Sequence, residues 1–279
     1  MQRYALQERQ GVFIPGKSFL GFPTTLELDP IQSGWSLMIG NKEIPLSPEM
    51  LDGRWRRLAL KHPRGTLHIP EHLLALRFAV DGIRIVPSLA GLPYSGDGFI
   101  FWKHIRSRIH QAGALVPCTV NAEVEGDSGP GRVVCFTPWD KEYLELKIYI
   151  DYAGVGSGCF EWRFPENDID KLATAKSPGW PLSWRKWARM AKTCGIGPGE
   201  KAFHWSDGSE APNVVLESYA RHRALDLLGA LAVLAPPGQF LVGKVCSHCA
   251  GHKADVMMIR EAAKKGLRIV NQIQPARFA

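Results

Sequence analysis

The sequence predicts an α+β protein made of two related units. Strand patterns precede helix patterns in each half of the chain, and turn-forming residues at Ala112-Gly113 and Pro117 separate the halves. With 279 residues, the chain can bury the core of one large domain or two ordinary ones. A content of 45% hydrophobic and 22% charged residues excludes long disorder.

The first unit spans residues 1–112. Short apolar runs there are rich in β-branched and aromatic residues, and Ser33-Gly34 marks a turn between two of them. Apolar residues at helical spacing follow later in the unit. The predicted elements are strands at Thr24–Leu28 and Trp35–Ile39, a helix at Leu73–Val80, a strand at Gly82–Pro87 and a helix at Phe99–Gln111.

The second unit spans residues 113–279, and the same alternation restarts in it. Its second strand alternates clearly between polar and apolar residues, which is typical of a half-buried strand. The predicted elements are strands at Gly131–Phe136 and Tyr143–Asp151 and helices at Trp180–Lys192, Val214–Leu234 and Lys253–Lys265.

The net charge fits either an anionic partner or solubility charge without a specific target. A formal charge of +7 and a pI near 9.1 fit nucleic acid, an acidic membrane surface or a phosphate-bearing substrate. The longest apolar run, Leu227–Ala235, is far shorter than the roughly 20 residues of a membrane span. The first 20 residues lack the pattern of a secretory signal, and six cysteines do not imply a disulfide scaffold. We therefore expect a cytoplasmic protein with free thiols and no transmembrane segment.

Three short segments could carry chemistry. His222 and Asp226 are four residues apart on a strongly helical stretch, so both side chains share one face and could bind one metal ion. His72 is a candidate third ligand, and its neighbour Glu71 could be a general base on metal-bound water. His252, which follows a glycine at the start of another helix, could protonate a leaving group. Taken alone, the His222–Asp226 spacing also fits a capped or exposed helical pair, and a Glu-His dipeptide is a weaker signal still.

Together these segments resemble the UDP-3-O-acyl-N-acetylglucosamine deacetylases of lipid A synthesis. The family has a Glu-His pair opening a helix, His-x-x-x-Asp on a long late helix, and Gly-His some thirty residues further on. Here these motifs correspond to Glu71-His72, His222 to Asp226, and Gly251-His252. Asp81-Gly82-Ile83 and the Pro93–Gly98 turn also match, and the likeness extends over about residues 10–265.

The resemblance implies a fold in which helices pack between two sheets, with the active site between the two units. It implies one zinc ion per chain, held by His72, His222 and Asp226. Glu71 would be the general base, and His252 the general acid that protonates the departing amine.

It also implies how the substrate is held. Ser177 takes the place of the family's oxyanion-stabilising threonine, and Lys176 precedes it. Arg223 stands where the family has a lysine near the substrate phosphates, and a guanidinium suits phosphate well. The expected partner is a UDP-linked acylated amino sugar, with possible transient contact with a membrane surface and no nucleic acid.

Two departures from the family leave the substrate open. The family commonly has a second acid, four residues after the metal-binding aspartate, that pairs with the general-acid histidine; this chain has Ala230. The segment 151–170 corresponds to the family's acyl-enclosing insert but is shorter and rich in glycine. The alternatives are a zinc amidohydrolase of the same fold acting on another N-acylated sugar or amide, or a non-catalytic sugar-nucleotide binder.

Two other patterns have competing interpretations. Cys246 and Cys249, with His248 and His252, could form a structural zinc knuckle, or the cysteines could be reduced thiols. A tryptophan stripe mixed with basic residues could bind nucleic acid or membrane, although its spacing favours a buried helix face. The stripe consists of Trp180, Trp184 and Trp187.

Overall fold

The structure, a computed structural model, describes residues 2–7, 11–17, 23–53, 59–62, 65–68, 71–88, 92, 99–152, 156–165, 169–173, 175, 177–178, 203–204 and 212–270. Helices and several β-sheets occupy these residues, which is compatible with the expected α+β class. The predicted helix Trp180–Lys192 with its tryptophan stripe, and Lys176, lie outside the described residues.

The first half of the chain consists mostly of strands, with two short helices. Turns of 3₁₀-helix extend these helices at Leu76–Phe78 and Arg106–Arg108. The described elements are β1 (Gln2–Leu6), β2 (Val12–Lys17), β3 (Pro23–Pro30), β4 (Trp35–Ile39), β5 (Lys42–Pro45), β6 (Leu51–Asp52), β7 (Ala59–His62), β8 (Gly65–His68), α1 (Glu71–Ala75), β9 (Ile83–Pro87), α2 (Phe99–Ile105) and β10 (Ile109–Ala114).

The second half contains the longest strands and helices among the described residues. Its described elements are β11 (Val116–Val120), β12 (Val124–Asp127), β13 (Val133–Thr137), β14 (Leu144–Tyr152), β15 (Gly156–Phe164), α3 (Ile169–Ala173), β16 (Ser177–Pro178), β17 (Phe203–His204), α4 (Pro212–Leu231), β18 (Gln239–Leu241), β19 (Gly243–His248), α5 (His252–Lys265) and β20 (Leu267–Ile269).

Each half contains a five-stranded sheet, and the two sheets have the same strand order. The orders are β2-β3-β9-β4-β5 and β12-β13-β19-β14-β15. In both sheets the last strand along the chain enters the middle, antiparallel to one neighbour and parallel to the other. In both, a helix precedes this middle strand and another helix follows it.

Alternating burial explains why these runs form sheets. In β3, Leu26 and Leu28 are fully buried while Thr25 is exposed and Glu27 is half-buried. This period of two presents one face of the sheet to the core. Apolar residues of both five-stranded sheets and of α4 belong to one continuous core cluster.

Helix α4 lies at the centre of the described structure. Every residue from His222 to Ala235 is buried, so the helix and the turn after it have no solvent-facing side along this stretch. It packs against α1 and against strands β14 and β15. A helix that is buried on all sides is typical of a core position.

Most of the predicted elements that fall on described residues are found, but one helix is wrong in part. The chain is helical from Phe99 only to Ile105, and Ile109–Ala114 is a strand that pairs with β1. The pairing partner lies about a hundred residues away, which local sequence cannot reveal. The predicted boundary between residues 112 and 113 therefore falls inside β10, and the sheet partners change at Leu115.

The glycine-rich segment 151–170 is largely part of a sheet. Strand β15 pairs with β14 along its whole length, from Leu144↔Phe164 to Tyr152↔Gly156. Gly158 faces helix α4, where a β-carbon would come within 3.3 Å of the Leu216 side chain. The glycines thus allow the hairpin to pack closely on the central helix.

None of the helices in the described ranges is long and apolar enough to cross a lipid bilayer.

Candidate active site

Buried polar residues interrupt the apolar surface of α4. His222, Arg223 and Asp226 are each less than a tenth exposed, and residues beside them on the helix, such as Leu225 and Leu227, are buried and apolar. Burying such groups costs several kcal/mol unless partners compensate them. Buried titratable groups of this kind are candidates for a functional site.

His222 and Asp226 lie one helical turn apart and point at a common space. The His222 Nε2 and Asp226 Oδ1 atoms are 3.4 Å apart. A tetrahedral ion with bonds of about 2.0–2.1 Å holds neighbouring ligand atoms about 3.4 Å apart. The nitrogen and oxygen are thus spaced as two ligands of one zinc ion would be.

The imidazole of His222 is held in its neutral form. Burial lowers its pKa to about 3, and the nearby His252 and Arg223 act in the same direction, whereas the Ala175 backbone acts against them. At neutral pH this ring therefore keeps a lone pair, which is the form that binds metal.

Helix α1, which begins with Glu71 and His72, packs directly against α4. The side chains of these two residues are outside the described atoms, so their roles stay predictions. The end of this helical run is fixed to the turn that follows α4, because the Arg77 guanidinium donates hydrogen bonds to the carbonyls of Ala232 and Ala235. The backbone that carries the predicted base and third ligand is thus anchored beside the predicted ligand helix.

A third predicted segment also reaches α4. Strand β16, which contains Ser177, contacts this helix, and Ala175 lies beside the His222 ring. The side chain of Ser177 is outside the described atoms. Three segments distant in sequence, namely α1, β16 and the start of α5, therefore contact α4.

His252, the predicted general acid, lies between two carboxylates. Its Nε2 atom is 3.9 Å from Asp226 Oδ2, and its Nδ1 atom is 3.9 Å from Asp255 Oδ2. Asp226 thus directs one oxygen to His222 and the other to His252. The structure brings the predicted acid next to the predicted ligand pair.

Arg223 is engaged inside the protein. Its guanidinium donates to both carboxylate oxygens of Asp255, at 2.8 Å for the Nη1–Oδ2 bond, and to Ser247 Oγ at 3.2 Å. The Arg223 and Asp255 side chains are 7% and 0% exposed. A substrate phosphate would have to compete with this bidentate partner, so phosphate binding by Arg223 stays a prediction.

Two glycines allow other parts of the chain to approach the first turn of α5. A β-carbon on Gly53 would overlap the backbone carbonyl of His252, and one on Gly126 would overlap that of Ala254. Strand β6 is joined to the same helix, because Arg260 donates to the Leu51 carbonyl at 2.7 Å. Residues from both halves of the chain therefore fix the position of His252.

Among the side chains that the structure describes, no group of three or more histidines, cysteines, aspartates or glutamates is placed to hold a metal ion. The described side chains include all four residues of the zinc-knuckle pattern, namely Cys246, His248, Cys249 and His252. Cys246 lies in β19 directly opposite Cys135 of β13, and both are free thiols. The knuckle interpretation is therefore not supported, whereas the proposed zinc site depends on the His72 side chain.

Two buried polar residues of the site were missed from the sequence. Asp255 follows His252 by three residues on α5, a spacing that places both on one helix face and that could have been noticed. Ser247 lies in a strand far from α4 in sequence, and no local pattern could have linked it to Arg223.

No protein-family model matches the chain, and no curated protein matches its sequence.

Proposed function

We propose that this protein is a zinc-dependent deacetylase that hydrolyses the N-acetyl group of UDP-3-O-acyl-N-acetylglucosamine. The observations that support the proposal are the contacts of α1 and β16 with α4 and the approach of His252, at the start of α5, to the buried His222–Asp226 pair. The sequence predicts a role in this reaction for residues of each of these segments.

We also propose that the chain consists of two related units, with helices between their sheets and the active site between the units. The identical strand order of the two five-stranded sheets supports this arrangement. The contact between α1 of the first half and α4 of the second supports a site built by both. Such a site would be complete only when both units are folded.

Each predicted site residue has one role in the proposed hydrolysis. A zinc ion held by His72, His222 and Asp226 would supply an activated water and polarise the amide carbonyl. Glu71 accepts the proton of the attacking water. Ser177 donates a hydrogen bond to the oxyanion. His252 then protonates the amine nitrogen as the C–N bond breaks, and acetate leaves.

The positive net charge of the chain supports an anionic substrate. The chain carries a net charge of +7, and Lys176 immediately precedes the oxyanion-stabilising Ser177. A lysine at that place can bind the diphosphate of a UDP-sugar. A cytoplasmic location, with transient contact with a membrane surface that holds the acylated product, fits this reaction.

The test combines metal analysis of the purified protein with acetate release from the UDP-sugar substrate. We expect about one zinc per chain and activity that is lost in His222→Ala. His248→Ala is the matched control, because this histidine is exposed on β19. The absence of zinc in protein purified with zinc present would contradict the proposal.

Two other results would indicate a different function for this protein. Stoichiometric zinc without acetate release would indicate an amidohydrolase acting on another N-acylated sugar or amide. A Glu71→Ala variant separates catalysis from binding: in an enzyme it loses about 10²–10⁴-fold in rate while it still binds the UDP-sugar. In a non-catalytic binder the wild type would bind the UDP-sugar without releasing acetate.

A further inference from the structure

The start of α5 places a carboxylate behind the predicted general acid. Asp255 lies one turn after His252 on the same helix, with its Oδ2 atom 3.9 Å from His252 Nδ1. The opposite ring nitrogen, Nε2, faces Asp226 and the candidate metal site. The ring is therefore oriented with one nitrogen toward the chemistry and the other toward Asp255.

The Asp255 carboxylate is itself fixed. It is fully buried, and both of its oxygens accept hydrogen bonds from Arg223, which also donates to the buried Ser247. A bidentate guanidinium holds a carboxylate in a single orientation. A buried ion pair of this kind contributes little net stability, but removal of one partner is costly because the other charge is left buried and unpaired.

Position 230 cannot supply such a carboxylate. Ala230 is fully buried on α4 and has no polar group. A histidine that transfers protons needs a partner for its second nitrogen, because that partner fixes the ring and the tautomer.

We propose that Asp255, held by Arg223, is the positioning residue for His252 and takes the place of an acid at position 230. This inference rests on the proposed function of His252 as general acid. Arg223 then acts on the reaction through Asp255, with its guanidinium inside the protein.

The first test is the position of the ring proton. In ¹⁵N-labelled, zinc-loaded full-length protein at pH 8.5, two-bond ¹H–¹⁵N correlation spectra report which imidazole nitrogens carry protons. A His252→Gln variant assigns the His252 signals. We expect a proton on Nδ1 in the wild type, and a shift of the proton to Nε2 in Asp255→Asn. A wild-type Nδ1 without a proton, or an unchanged pattern in Asp255→Asn, would overturn the inference.

The second test is kinetic. We expect Asp255→Asn to lower kcat by about 10- to 100-fold, with KM changed less than about twofold and zinc content unchanged. Glu261→Gln is the matched control, since it removes an acid farther along the same helix that pairs with Lys264. Equal kcat values in Asp255→Asn and the wild type would contradict the proposal.

A folding control keeps both tests decisive. Asp255→Asn leaves Arg223 buried without its carboxylate, which can destabilise the protein. The double variant Arg223→Gln/Asp255→Asn removes both charges, and we expect it to fold and to show the same loss of kcat and the same proton shift. A folded double variant with wild-type kcat would overturn the inference. A wild type that releases no acetate would instead overturn the proposed function, and the ring-proton test would still report whether Asp255 orients His252.

Discussion

Gly53 lies against the backbone of His252 so closely that a side chain at position 53 would overlap the His252 carbonyl oxygen. Gly53 follows β6 in the first half of the chain, whereas His252 begins α5 in the second half. The position of the predicted general acid thus depends on a glycine about two hundred residues away.

Gly53→Ala should move the first turn of α5 and thereby displace His252. We expect a loss of activity of at least about tenfold and a stability loss of about 1–3 kcal/mol, because the overlap is with backbone that cannot rotate away. Acetate release and urea denaturation measure the two effects.

The control for this substitution is Gly129→Ala. Gly129 has a φ of +131° and open space around its α-carbon, in the turn between β12 and β13. Alanine there should cost about 1 kcal/mol through backbone strain and leave the activity at the wild-type level. If both variants lose activity to the same extent, the position of His252 does not depend on Gly53.

Arg77→Met should destabilise the protein by about 2–4 kcal/mol, because two carbonyls in the turn after α4 lose their buried donor. Burial lowers the pKa of Arg77 to about 10, so the side chain is charged at neutral pH. Arg84→Met is the matched control. Arg84 pairs with Asp29 and Glu43 where all three side chains are partly exposed, so its loss should cost less than about 1 kcal/mol. Similar urea midpoints for the two variants would refute the prediction.

Cys118 should make the protein sensitive to alkaline pH. Burial raises the pKa of this thiol from 9.0 to about 12, with a smaller opposing effect of Arg77. The folded protein therefore keeps the thiol protonated while the unfolded chain ionises, so the stabilisation is complete below pH 9 and is lost as the pH rises toward 12. By pH 10 the loss should be about 1.4 kcal/mol.

The measurement compares the free energy of unfolding of the wild type and Cys118→Ala between pH 8 and 10.5. The wild type should lose stability relative to the variant across this range. Cys159→Ala is the control, because Cys159 is exposed on β15 whereas Cys118 is buried. Parallel curves for the wild type and Cys118→Ala would contradict the assignment.

Zinc should raise the melting temperature of the chelator-treated protein. Ligand binding to the folded state adds about 2.7 kcal/mol at a hundredfold excess over Kd, which corresponds to several degrees for a chain of this size. We expect Asp226→Asn to lose most of this shift and Asp140→Asn, an exposed acid paired with Arg268, to retain it. An equal shift in both variants would place the ion elsewhere.

The elements with strong local patterns were predicted well. The alternation in Tyr143–Asp151 predicted β14 to within one residue at each end, and the apolar Val214–Leu234 run predicted α4. The helix predicted to Gln111 ended early, because pairing of Ile109–Ala114 with β1 depends on tertiary contacts. Spacing on one helix could identify His222 and Asp226, which lie on one turn.

The sequence could not predict which residues pair with a buried charged side chain such as Arg223. Arg223 was expected to face a substrate phosphate, and nothing near it in sequence indicates Asp255 or Ser247. These partners become neighbours only when α5 and β19 pack against α4. Likewise, the requirement for glycine at position 53 arises from a close approach between segments of different halves.

The shared strand order has a consequence for how the chain is made. On the ribosome, the hairpins β2–β3 and β4–β5 emerge before β9, and β12–β13 and β14–β15 emerge before β19. Until its fifth strand arrives, each pair of hairpins has an open slot with unpaired backbone edges on both sides. Such edges can pair with other chains, so the nascent protein passes through two periods in which chaperone protection would matter most.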